Sequence, residues 1–281
     1  MVSQLSLLDW AGLAATAAGA ALLYTLTGFG FAVLSTPAFL LFVDPPQAIQ
    51  LVIIISTALS ITTLPGLWRA IAPALLLRLT LGSIAGLPLG LIALRHADPV
   101  VVRRLIGATI LAFALVLGWV RLRGPGRHTA LLGMRPSRDL AIGAISGTAT
   151  ALVGMAGPPV LIYLLLAGAP PPTVRATLLS FFGIVYAAAL LSHAVAVGIS
   201  ASTWIGAGVL IPFAALGAVA GRPLGDRLGV RAFAVLAIVL LATAGLYTLA
   251  ASAGPAARQY WLIIRGGTRR RRHGDGSGKP G

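Results

Sequence analysis

Glycine and proline residues interrupt two long uncharged runs, 10–43 and 140–174, and give the sequence its clearest potential for chemistry. Backbone N–H groups freed at such interruptions, with the positive ends of helix fragments, can bind an anion without a buried charge. We therefore predict substrate binding there. The predicted residues are Gly28, Gly30 and Pro37 in the first run, and Gly154, Gly157 and Pro158 in the second. The alternative is that these residues only kink helices or let them pack closely.

Arg175 is the ionisable residue best placed to join such a site. It lies near the start of the span that follows the second run, beside Thr177 and Ser180. A guanidinium there can contact two oxygens of an anion at once, so Arg175 and Thr177 are also predicted to bind substrate. The alternative is an interfacial arginine that reaches lipid headgroups.

Other polar side chains within uncharged segments allow two interpretations. His193 either relays a proton near neutral pH or is a neutral hydrogen-bonding residue. A row of hydroxyl groups in the second predicted span either lines a pathway beside the first interruption or bonds to its own helix. These residues are Ser56, Thr57, Ser60, Thr62 and Thr63.

The sequence shows no set of residues for nucleophilic or acid–base catalysis, so we predict that the protein is not an enzyme. It has no cysteine, which excludes disulfides, thiolate chemistry and cysteine metal sites. Its six carboxylates fall at predicted span ends, in loops or in the tail. No phosphate-binding loop is present. We expect no cofactor and no metal. A membrane-embedded enzyme and a structural membrane protein remain the alternatives.

Composition indicates a membrane protein. Only 10% of the residues are charged, 58% are hydrophobic, and the mean hydropathy is +0.95. A soluble domain carries about 25% charged residues, and one bilayer crossing needs about 20 mostly apolar residues. The predicted fold is therefore an all-α, polytopic integral membrane protein with about eight transmembrane helices. The spans are predicted at about 10–43, 47–66, 72–94, 100–120, 139–168, 174–196, 203–221 and 231–251.

The spans divide into two similar halves. A first repeat at 1–120 is followed by a basic linker at 121–138, a second repeat at 139–252 and a basic tail at 253–281, which we expect to be disordered. A glycine-rich motif in the first half recurs in the second, where its glycines favour close helix packing. The recurring glycines are Gly82 and Gly86, matched by Gly217 and Gly221.

The first uncharged run of each half is too long for one straight span. A helix over 10–43 would be about 50 Å long, whereas the hydrocarbon core is about 30 Å thick. We predict that each run breaks or re-enters the membrane. Four spans per half would place both termini and the linker in the cytoplasm. Full hairpins would instead give five crossings per half and inverted repeats.

The net charge of +15 is concentrated in the linker and the tail. Basic clusters beside apolar spans are typical of topology signals and of contacts with anionic lipids. We therefore expect membrane lipids and a small anionic substrate as partners, and no nucleic acid. The expected location is the cell inner (plasma) membrane, with several passes. The oligomeric state is left open.

The sequence resembles the TauE/SafE family of sulfite exporters and related anion permeases over roughly residues 8–252. The resemblance rests on small-residue motifs: Gly28-Phe29-Gly30 followed by Pro37, Pro45-Pro46, Gly143-x-x-x-Gly147, Gly154-Met155-Ala156-Gly157-Pro158-Pro159 and Val174-Arg175-Ala176-Thr177. It implies transport of sulfite, a sulfonate or a related organic anion without ATP hydrolysis, and it leaves proton coupling open.

Overall fold

The computed structural model describes residues 5–28, 30–63, 71–122, 135–225, 239, 242–243 and 245–248. Throughout these residues the secondary structure is helical and contains no strand, as the sequence predicts. The helices are α1 (Leu7–Thr27), α2 (Phe31–Phe39), α3 (Pro45–Thr63), α4 (Pro73–His96), α5 (Pro99–Leu122), α6 (Pro136–Val153), α7 (Gly157–Leu166), α8 (Pro171–Ala196) and α9 (Ala201–Gly225).

Several helices have the length and apolar composition of membrane spans. Among the described residues, four segments are both long and apolar enough to cross: Leu7–Leu26, Pro73–His96, Thr173–Ala196 and Ala201–Gly221. Their outer faces carry exposed apolar side chains such as Leu89, Leu191 and Leu216, as expected for contact with lipid. The number of eight spans stays a prediction. The span expected at 231–251, most of the linker and the whole tail lie outside the described residues.

The first long run breaks at Gly28 and forms a helical hairpin. Helix α1 begins with a capping box between Ser6 and Asp9 and ends where Gly28 adopts a left-handed conformation. The chain then returns alongside α1. Phe42, just after the end of α2, lies so close to Gly12 of α1 that a Cβ added to Gly12 would be 2.6 Å from its ring. The hairpin arises because glycine adopts a positive φ (78° at Gly28 and 115° at Gly30) without the steric cost of a side chain.

The second long run forms a corresponding hairpin. Helix α6 ends at Gly154, which also has a positive φ of 76°. The hydroxyl of Tyr163, near the end of α7, donates a 2.6 Å hydrogen bond to Asp139 in the first turn of α6. Helix α7 therefore runs back along α6, and the prediction of a break in each run is confirmed.

Asp139 ties three helices together at the start of α6. Its carboxylate is 1% exposed and accepts hydrogen bonds from Tyr163 of α7 and from Arg78 of α4, the latter over 3.3 Å. The sequence places Asp139 at a span end, which is correct, but does not show that the side chain is buried. Because its charge is paired and hydrogen-bonded, it can be buried at a helix N-terminus.

Helices α4 and α6 run parallel and touch along glycines. A Cβ added to Gly82 would lie 2.1 Å from the carbonyl oxygen of Leu140, and one added to Gly86 would lie 2.1 Å from that of Ala144. Contacts that advance together on both helices require the same direction. No side chain fits in these positions, so the predicted packing role of these glycines is confirmed.

Helices α1 and α9 pack in the same manner. A Cβ on Gly217 would lie 2.0 Å from the carbonyl oxygen of Ala18, and one on Gly221 would lie 2.8 Å from that of Leu22. These two helices are therefore also parallel. The glycine motif of each half thus contacts the first helix of the other half.

Helix α8 runs opposite to α1 and α3. Its start lies against the end of α1, where Arg175 covers Gly28, and its end lies against the start of α3, where Gln50 donates to the carbonyl of Gly198. The last turns of α4 and α8 lie side by side around Arg95. Hence α4, α6 and α8 share one direction, and α1 and α3 have the other.

The chain therefore has two faces. The N-terminal face carries the starts of α1 and α3 and also that of α5, where Arg103 donates to the carbonyl of Leu40. The linker face carries the starts of α4, α6 and α8. Since the linker precedes α6, the start of α1 and the linker lie on opposite faces. This arrangement agrees with the alternative of full hairpins, because the hairpin adds one reversal to the first half.

Candidate functional site

The first break places the start of α2 inside the protein. Gly30 is the N-cap of α2, and the first hydrogen bond of that helix joins the N–H of Leu34 to the carbonyl of Gly30 over 3.1 Å. The N–H groups of Gly30, Phe31, Ala32 and Val33 have no acceptor one turn earlier, as at every helix start. They are a set of donors at the positive end of the α2 dipole.

The second break offers fewer donors. Helix α7 begins at Gly157, and Pro158 and Pro159 follow it and lack N–H groups. The hydroxyl of Tyr186 accepts a 3.4 Å hydrogen bond from the N–H of Ala156. It also donates over 3.3 Å to the carbonyl of Gly154. Tyr186 thus replaces helical hydrogen bonds lost at the break, and Gly157 supplies the remaining N–H of this helix start.

A narrow cavity of about 10 Å³ lies where the two breaks meet. Its walls combine the first turn of α2, the start of α7 and the middle of α3 and α8. The lining residues are Tyr24, Gly30, Phe31, Ala32, Val33, Ser56, Leu59, Ser60, Gly157, Phe182 and Tyr186. This volume holds about one water molecule, so the cavity has no room for an oxyanion in this arrangement.

The polar side chains of the cavity carry hydroxyl groups and no formal charge. Ser56 is 4% exposed, and its hydroxyl lies near that of Tyr186 without forming a well-aligned hydrogen bond to any described residue. Ser60 and the aromatic residues Tyr24 and Tyr186 complete the polar lining. The ring of Phe182 lies between the two tyrosines, 6.4 Å from that of Tyr24 and 5.8 Å from that of Tyr186. With donors and no carboxylate, the cavity suits an anion rather than a cation.

Two of the predicted site residues, Gly30 and Gly157, line the cavity. Gly28 and Gly154 form the breaks themselves and lie just outside its walls. Pro37 is buried inside α2, and Pro158 is buried in the first turn of α7.

Thr177 lies in α8 and is fully buried, and its hydroxyl makes no hydrogen bond with the described residues. It is not among the residues that line the cavity.

Arg175 lies at the end of α1 and outside the cavity lining. Its side chain is exposed and covers Gly28, where an added Cβ would lie 3.0 Å from Cγ of Arg175. Its guanidinium donates over 3.5 Å to the carbonyl of Thr25, in the last turn of α1. A cation is favourable at this negative end of a helix.

The hydroxyl groups of α3 divide between the two predicted roles, lining a pathway and bonding to their own helix. Ser56 and Ser60 face the cavity, whereas Thr57 donates a 2.8 Å hydrogen bond to the carbonyl of Ile53 in its own helix. The side chains of Thr62 and Thr63 lie outside the described residues.

Tyr24, Phe182 and Tyr186 line the cavity but are not predicted from the sequence. Their only signal is an aromatic pair at i and i+4 in α8, which places both rings on one helix face. That spacing is equally typical of a packed core. What makes the three rings a cavity wall is contact between α1 and α8, which are far apart in sequence.

No curated protein and no solved structure matches the chain. The family described as sulfite exporter TauE/SafE matches residues 13–248, which include the described helices that form both breaks and the cavity. The chain therefore belongs to the TauE/SafE sulfite exporter family.

Proposed function

We propose that the protein is a permease that moves sulfite, a sulfonate or a related small organic anion by alternating access. Membership of the TauE/SafE family indicates a membrane transporter of sulfite or related anions. The observation that carries the finer proposal is the cavity between the breaks, where the start of α2 and Gly157 meet the buried hydroxyl of Ser56.

Such a site can bind an oxyanion and also release it. Backbone N–H groups and hydroxyls replace the water that the anion loses, and two helix dipoles contribute positive potential. Since the lining has no arginine or lysine, there is no strong ion pair to break when the anion leaves. The first break supplies most of the donors, because Pro158 and Pro159 remove them from the second.

An inverted duplication would provide the two conformations that alternating access requires. The first helices of the two halves, α1 and α6, run in opposite directions. Gly28 contacts Arg175 of the other half, and Gly154 contacts Ile49 of the other half. These two contacts join equivalent positions. Gly154 follows Gly28 by 126 residues, and Arg175 follows Ile49 by the same number. If the repeats exchange conformations, the site opens to one face and then to the other.

Arg175 and Thr177 belong to the approach to the site in this proposal. The exposed guanidinium lies over Gly28, two residues before the cavity residue Gly30. It would attract anions from the linker face and pass them to the backbone donors of α2. Thr177 offers a fully buried hydroxyl about half a turn further along α8.

Flux into proteoliposomes tests the proposed function directly. Sulfite, sulfoacetate, taurine and acetate are compared in vesicles with and without protein, each with and without a pH gradient. We expect protein-dependent flux of sulfite or a sulfonate. Absence of flux for every anion under every gradient would overturn the proposal.

Ser56→Ala tests whether the cavity is the binding site. A hydrogen bond to a charged group contributes about 1.5–3 kcal/mol, so the KM for the anion should rise about tenfold or more. Thr57→Val is the matched control, because this hydroxyl lies on the same helix and bonds to Ile53. An unchanged KM in Ser56→Ala would place the binding site elsewhere.

A further inference from the structure

His193 is buried in α8 at the end of α6, away from the cavity lining. Its ring is 0% exposed, and its Nε2 lies 3.1 Å from the carbonyl oxygen of Ala151. Ala151 precedes the break at Gly154, so its carbonyl belongs to the last turn of α6. The N–H that would normally reach it, that of Met155, is directed to Ala149 instead, over 3.5 Å. His193 therefore supplies a donor that the broken helix lacks.

This contact fixes the state of the imidazole. A carbonyl oxygen only accepts hydrogen bonds, so Nε2 carries the hydrogen and Nδ1 of the neutral ring carries none. Nδ1 is buried and has no hydrogen-bond partner among the described residues. A proton added to Nδ1 would create a buried N–H without an acceptor in this closed arrangement.

Among the described residues no charged side chain bonds to His193, although Arg95 of α4 lines the same surface pocket as Ser192 of α8. Helix α3 contains no ionisable residue, and Tyr163 of α7 is bonded to Asp139. Arg138 and Asp139 lie at the other end of α6, about 18 Å from Ala151 at 1.5 Å per residue. The ionisable residues of α4 at the near end are Arg95 and His96, both exposed. Within α8, Tyr186 lies two turns away and Arg175 lies at the far end.

We propose that His193 is the proton-binding site of the transport cycle, so that one proton moves with each turn of the carrier. The inference rests on the proposed function. When the α6–α7 hairpin moves and admits water, Nδ1 takes a proton from that water and the neutral imidazole becomes imidazolium. Water then accepts the new N–H, and the last turn of α6 favours the cation through its dipole. When the site then opens to the opposite face, water on that side takes the proton from Nδ1, and the ring is neutral again in the closed arrangement.

His193→Gln separates this role from a purely structural one. The glutamine side-chain amide can still donate to the carbonyl of Ala151, but it does not bind a proton near neutral pH. His96→Gln is the matched control, because His96 is an exposed histidine in the last turn of α4. Each variant is measured in proteoliposomes for anion exchange at equal pH and for uptake driven by a pH gradient.

We expect His193→Gln to retain exchange within about twofold of the unsubstituted protein and to lose the stimulation by a pH gradient, while His96→Gln retains both. Gradient-driven uptake that persists in His193→Gln would overturn the inference. Absence of exchange in the unsubstituted protein would instead contradict the proposed function. If His193→Gln does not fold, ¹⁵N NMR of the unsubstituted protein decides: a proton on Nε2 at high pH and on both nitrogens at lower pH supports the site, and a ring that never titrates contradicts it.

Discussion

At the scale of single residues, Arg175 is the cation that we propose guides an anion to the first break. Its guanidinium is exposed, lies over Gly28 and bonds to the end of α1. A cation in this place raises the local concentration of anions, and a fork of N–H donors can also hold two oxygens. A role in approach or binding changes KM, whereas a role only in stabilising α1 changes thermal stability and leaves KM alone.

Arg175→Gln should therefore raise the KM for the transported anion about three- to tenfold, a loss of up to about 1.4 kcal/mol, with little change in the maximal rate. Arg175→Lys keeps the positive charge but cannot contact two oxygens at once as a guanidinium does, so we expect an intermediate KM. The measurement is initial flux against anion concentration in proteoliposomes at low and high salt. If both variants keep the KM of the unsubstituted protein, Arg175 stabilises α1 and does not serve the anion.

Residue type alone predicts part of the site. Gly28, Gly30 and Gly154 could be predicted as breaks because positive φ is a property of glycine itself. The walls of the cavity could not be predicted, because Phe182 and Tyr186 would look the same in any apolar helix. Their role depends on which helices α8 contacts, and no local pattern specifies that.

At the scale of elements, the glycine stripe between α4 and α6 fixes the distance between these helices. In a membrane such contacts take the place of the hydrophobic effect, since lipid tails are as apolar as the side chains. A Cβ on Gly86 would lie 2.1 Å from the backbone oxygen of Ala144, and backbone cannot rotate away as a side chain does. Any side chain there must push the helices apart.

Gly86→Ala should thus destabilise the protein although alanine is the better helix former. We expect a thermal midpoint several degrees lower in detergent, together with reduced yield. Gly208→Ala in α9 is the matched control, because an added Cβ there meets nothing within 4 Å and should leave the midpoint unchanged or raise it. Equal midpoints for the two variants would show that α4 and α6 do not pack through this glycine.

The two hairpins could be predicted only in part from the sequence. Length against bilayer thickness predicts that each long run must break. The angle of the break does not follow from length, so a kinked span and a hairpin were equally compatible with the sequence. Contacts between Gly12 and Phe42, and between Asp139 and Tyr163, select the hairpin.

At the scale of the whole molecule, the direction of the helices determines which charged residues lie on each face. The linker face carries the starts of α4, α6 and α8, with Arg78, Arg138 and Arg175. The N-terminal face has arginines only at the turn between α4 and α5 among the described residues, accompanied by Asp9, Asp44 and Asp98. Arginine and lysine accumulate in cytoplasmic loops, so we place the linker face in the cytoplasm and the start of α1 outside.

Single cysteines can test this topology cleanly, because the natural sequence contains none. Leu7→Cys and Ala201→Cys put an exposed thiol on the N-terminal face, and Ser137→Cys puts one on the linker face. A membrane-impermeant maleimide added to intact cells should label the first two, and it should label Ser137→Cys only after permeabilisation. The reverse pattern would invert the protein in the membrane. Labelling of Leu7→Cys and Ser137→Cys from the same side would mean an even number of crossings between them, which the parallel packing of α4 on α6 and the return of α2 along α1 do not allow.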